Sequence, residues 1–178
     1  MDMRAKKTNR SIKNAFLQLR ARKPLERIAV KELSELAEIS KATFYLHYQD
    51  IFDLSEQMQY EVIQNIIADV IGSGIDVFDT VEFSRKMHAS FSAHQVLINT
   101  LFSGSQSAVL PLKIEQGIKE EILKARPELA GSARFNVLIS YQVHGTYQAY
   151  AENYKELGEE AVLQALEEIA SHIKLMGY

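Results

Sequence analysis

Between Val30 and Tyr48 the chain holds a run of residues whose types and spacing suit one shared task. Phe44 and Tyr48 stand four apart, so on a helix they share a face and leave Lys41, Thr43, Tyr45 and His47 pointing elsewhere. Val30, Leu33, Ala37 and Ile39 complete an apolar seam with Phe44 and Tyr48. The outward set suits a nucleic acid. Lysine reaches base acceptors or phosphate, threonine offers a hydroxyl and a methyl, and tyrosine and histidine donate to phosphate oxygens. The same spacing also occurs in ordinary helix pairs, so it does not decide the matter alone.

Other chemistry finds little to stand on. The five histidines (47, 88, 94, 144, 172) form no HExxH or comparable pair, and there is no cysteine, so no metal site is expected. Glu120-Glu121 and Glu159-Glu160 sit in charged amphipathic stretches and read as solvated faces. Ser103-Gly104-Ser105 lacks the flanking glycines of a nucleophile elbow, and no glycine-rich phosphate loop exists. No enzyme activity and no cofactor are expected.

The elements that would position the outward set are helices. A first helix begins near Thr8 or Ser11, with Ile12, Ala15, Phe16 and Leu19 as its apolar face, and closes at Arg20 to Pro24. A second covers about 30–37. Glu38-Ile39-Ser40 makes the turn, and Ser40 caps a third helix from Lys41 to about Tyr48. A fourth runs from Ile51 to Ile71, and Gly72-Ser73-Gly74 ends it as the natural module boundary. Further helices are expected near 78–92, 94–103, 107–125, 131–155 and 158–176, with Pro111 either in a first turn or at a kink. The fold class is therefore all-α. Residues 1–50 make one domain, 51–71 a connecting helix and 75–178 a second domain.

Charge separates along the same line. The net charge of −3 hides a +5 excess over residues 1–50 and a −8 excess over residues 51–178, so the basic part is the one suited to a polyanion. Met87 to Leu112 is 26 residues without a formal charge, yet two His, two Gln, Asn99 and Pro111 make it read as buried or pocket-lining, with no membrane partner expected. The first residues do not read as a signal peptide, and a cysteine-free chain suits the cytoplasm.

The wording of the basic segment adds a resemblance. Phe16-Leu17, Pro24-Leu25-Glu26-Arg27-Ile28, Val30 to Ala37, Ser40-Lys41-Ala42-Thr43-Phe44-Tyr45-Leu46-His47-Tyr48 and Asp53-Leu54 together resemble the DNA-binding domain of TetR-family transcriptional regulators. The likeness covers about residues 8–60. It implies a three-helix helix-turn-helix domain in which Lys41, Ala42 and Thr43 face base edges and Tyr45 and His47 grip phosphates. Arg4, Lys6, Lys7 and Arg10 would form a flexible phosphate-seeking arm. Three positions depart from the family pattern: Glu38 and Ala42 stand where glycine is frequent, and Ile51 where lysine is common. At Ile51 a phosphate clamp would keep only the backbone donors of a helix N-terminus.

The resemblance also implies a helical C-terminal domain that binds a small effector and forms a homodimer on a palindromic double-stranded operator, usually as a repressor. Met87, Phe91, Leu101, Phe102, Tyr141, His144 and Tyr147 are the candidate pocket lining, with plain core packing as the alternative. Val162, Leu166, Ile169 and Ile173 form the candidate dimer stripe. Two other readings stay open: a regulator without a small ligand whose C-terminal domain docks a protein, and a helical interaction protein without DNA function.

Overall fold

The computed structural model describes residues 3–72, 74 and 76–175. Among these the chain is helical, without strands: α1 (Met3–Arg20), α2 (Val30–Leu36), α3 (Lys41–Tyr45), α4 (Ile51–Ile71), α5 (Thr80–Leu101), α6 (Val109–Ala125), α7 (Ala133–Ser140), α8 (Thr146–Leu157) and α9 (Glu159–Leu175). A π-helical stretch, Tyr141–Gly145, carries α7 into α8 without a break. No described helix is long and apolar enough to cross a membrane.

Two compact units emerge. The first comprises Met1–Val62 and Val96–Ser107, the second Ile63–Gln95 and Ala108–Tyr178. The division therefore does not fall at Gly72–Gly74, where the sequence suggests it. Gly72 and Gly74 do end α4, their N–H groups bonding Ala68 and Ile71 carbonyls, while Ser73 lies outside the described residues. Helix α4 is one continuous element whose early residues belong to the first unit and later residues to the second.

The first unit buries Ile12, Ala15, Phe16 and Leu19 of α1, Leu33 of α2, Phe44 of α3 and Ile51, Leu54 and Met58 of α4. The i, i+3, i+4, i+7 stripe of α1 is thus its inner face. The helix starts earlier than its cap residues suggest. Thr8 is inside it, its hydroxyl donating to the Arg4 carbonyl at 3.1 Å instead of capping. No glycine or proline interrupts residues 3–10, so nothing stops the helix extending back.

In the second unit, Leu110, Ile114, Ile118 and Ile122 form the buried ridge of α6. Pro111 lies in the first turn of α6, where its missing N–H is not needed. Gly117 lets α6 approach Ile67 closely: a Cβ there would stand 2.2 Å from Cδ1 of Ile67, whose side chain would have to shift. The two helices expected near 78–92 and 94–103 are one, α5, because Ala93 and His94 carry no breaking signal. Helix α9 ends its described course at Leu175, and residue 176 lies outside the described residues.

Candidate nucleic-acid interface

Helices α2 and α3 are separated by residues 37–40, and the turn is built on one unusual backbone angle. Glu38 has φ +55°, the single non-glycine residue with positive φ among the described residues. The N–H of Ile39 bonds the Ser34 carbonyl at 3.0 Å, and the N–H of Glu38 bonds the Glu35 carbonyl at 3.2 Å. This pair of bonds is a Schellman motif, which closes a helix through one left-handed residue, normally glycine. An L-residue in that region costs about 1–2 kcal/mol. Glu38, standing where glycine is frequent in the resembled family, therefore carries a strain that glycine would not.

Ser40 then begins α3. Its Oγ accepts from the Thr43 N–H at 3.0 Å and lies 2.8 Å from the Thr43 hydroxyl. The helix is shorter than expected, ending at Tyr45; Leu46 closes it, its N–H bonding the Ala42 carbonyl at 3.2 Å. His47 and Tyr48 follow in a turn whose N–H groups both bond the Phe44 carbonyl. Phe44 is fully buried, and the buried Tyr48 donates its phenol to Oδ1 of Asn9 on α1. Burial chiefly, and the negative charge of Glu61 next, push the Tyr48 phenol up to about 12, so it remains a donor at every pH of interest.

These anchors leave one face of α3 free. Lys41, Ala42 and Tyr45 are exposed, and Thr43 and His47 half-buried. Lys41 makes no ion pair among the described residues. Tyr45 keeps its ring edge-on to Phe44 with centroids 5.5 Å apart, which limits its rotation without covering it. Arg4, Lys6 and Lys7 are exposed as well, but they are not a flexible arm. All three lie in α1, because the helix runs back to Met3. The Tyr48–Asn9 bond ties α1 to the turn that follows α3.

The start of α4 differs from the expectation more sharply. Ile51 is a core residue, only 5% exposed, and holds no position a phosphate clamp needs. Asp50 accepts from the Asp53 N–H at 2.8 Å, and Asp53 accepts from the Gln49 N–H at 2.8 Å. These bonds occupy the Asp53 N–H in the first turn of α4, and they place two carboxylates there. The bond from Gln49, helped by one from Gln57, holds the Asp53 carboxyl below its usual range. A phosphate contact at the α4 N-terminus is thereby disfavoured.

Leu46 escaped the sequence reading. At 85% exposure it is among the most exposed large apolar residues described, and it sits on the α3 face away from Phe44. Its spacing carried the signal: two residues after Phe44 on a helix lies opposite the buried face.

No family model, curated protein or solved structure matches the chain.

The seven residues of the expected effector lining divide between the two units. Leu101 and Phe102 belong to the buried part of the first unit, where the Leu101 carbonyl accepts from Gln59 at 3.0 Å. Met87, Phe91, Tyr141, His144 and Tyr147 belong to the second. There Met87 is fully buried, Phe91 packs against Tyr147 with centroids 5.8 Å apart, and His144 meets Glu115 at 2.7 Å. Tyr141 instead lines a cavity of about 100 Å³ with Leu166, Ile169 and Ile173. Three of the four expected dimer-stripe residues thus border this cavity, whereas Val162 is buried in its own chain. A wider concavity of about 520 Å³ lies beside Val77, Phe78, Ile122 and Arg126. Among the described residues no group of three His, Asp or Glu could hold a metal ion.

Proposed function

We propose that the chain is a homodimeric, DNA-binding transcriptional regulator of the TetR type, acting as a repressor on a palindromic operator. The observation that carries this reading is the presentation of α3. Phe44 and Tyr48 fasten it from beneath, while Lys41, Ala42 and Tyr45 stay uncovered by the unit that holds them. A short helix fixed by a preceding helix and turn is how such proteins insert side chains into the major groove. The basic first turns of α1 would supply phosphate contacts, with Tyr45 and His47.

Dimerisation would place two α3 helices roughly 34–36 Å apart, on one face of the duplex. Ile169, 49% exposed, together with Leu166 and Ile173 supports α9 as part of the joining face. An effector bound in the second unit would release DNA by binding more tightly to a state in which that spacing is wrong.

Fluorescence anisotropy with a labelled duplex pool tests the proposal. Binding that weakens steeply as salt rises is expected, since each neutralised phosphate releases counterions. Absence of binding at low salt, or binding indifferent to salt, overturns it.

A further inference from the structure

The reading face of α3 is poor in hydrogen-bonding groups. From Lys41 to Leu46 there is no Asn, Gln, Arg, Asp or Glu, the side chains that pair with adenine, guanine or cytosine edges. Lysine at 41 remains as a donor to guanine or phosphate. Tyr45, also exposed, carries a phenol assigned to phosphate, and what remains beside these two is methyl groups. Ala42 is exposed, and Leu46 stands one turn later on the same side, its N–H bonded to the Ala42 carbonyl and its side chain 85% exposed. Thr43 adds a third methyl, its hydroxyl lying 2.8 Å from that of Ser40.

Resting on the assignment of α3 as the DNA-reading helix, we infer that Ala42, Thr43 and Leu46 recognise the C5-methyl groups of thymines in the major groove. The operator half-site then has adjacent thymines opposite α3. The thymine methyl is the one apolar feature of the major-groove edges, and small aliphatic side chains are its natural contact. One exposed leucine is unremarkable on a protein surface. Three methyl-bearing side chains on α3 and the residue that closes it, beside a single lysine, form a patch suited to reading methyls.

The experiment begins with selection of duplexes from a randomised pool by the full-length protein. The selected duplex is then remade with deoxyuridine replacing each thymidine in turn, which deletes one methyl and leaves base pairing intact. Loss of roughly fourfold in affinity is expected for each methyl read, the value of burying one such group. In Leu46→Ala the difference between thymidine and deoxyuridine should vanish at one position per half-site and persist at the others. Because Leu46 is exposed, this variant should keep the helical circular dichroism of the parent. Equal affinity for thymidine and deoxyuridine duplexes overturns the inference and leaves DNA binding standing. Failure to enrich any sequence, with no duplex binding, removes both.

Discussion

The hydroxyl of Thr43 lies 2.8 Å from the hydroxyl of Ser40, and the same Ser40 oxygen accepts the Thr43 amide. The cap that starts α3 thus also orients a residue assigned to base reading. Thr43→Ala is expected to relax discrimination among sequences, because it deletes the methyl. Thr43→Val, which keeps a methyl and loses the hydroxyl, should retain it. Affinity ranking over a panel of duplexes checks both, and equal relaxation in the two variants would assign the reading to the hydroxyl.

His47 follows α3 in a turn, half-buried beside Tyr48 with ring centroids 6.4 Å apart. As a phosphate contact it carries no sequence information. His47→Ala should weaken every duplex by a similar factor and flatten the dependence of affinity on salt. A changed sequence preference would contradict the assignment.

Strain at Glu38 has a consequence for stability. Glu38→Gly relieves the left-handed conformation, although glycine also adds freedom to the unfolded chain. A net gain of about 0.5–1 kcal/mol is expected in urea denaturation. Glu38→Ala keeps the strain and should bring no gain.

Glu115 makes part of the second unit sensitive to acid. Burial resists its ionisation, but Lys119, Ser140 and His144 all bond its carboxylate and bring its pKa down from 4.5 to about 2. A lowered carboxyl stabilises the fold fully above its ordinary value and loses that contribution as pH falls toward 2. Melting temperature should therefore drop across that window more steeply for the parent than for Glu115→Gln. Parallel curves would show that the cluster carries no linkage.

Much of the architecture could be read from apolar spacing. The bounds of α4 at Ile51 and Ile71, the cap at Ser40 and the burial of Phe44 and Tyr48 all follow from local pattern. The first turns of α1 did not, since Thr8 has the character of a cap and the structure uses it inside the helix. At Asp50 and Asp53 the composition was visible, but the bonds their carboxylates accept from the Asp53 and Gln49 amides were not. The effector lining was least legible. Aromatic and apolar residues in an uncharged stretch look alike whether they face a cavity or a core. Met87 and Leu101, both buried, lie on one helix that the two units share.

The most direct test of the whole account is hydroxyl-radical footprinting of the full-length protein on a selected duplex. Two protected patches are predicted on one face, their centres separated by about one helical turn, roughly 10 base pairs, or a multiple of it. Both should disappear together in a Lys41→Glu variant that keeps the parent's helical circular dichroism. A single patch, or protection unchanged by that substitution, would contradict the claim that α3 enters the groove twice per assembly.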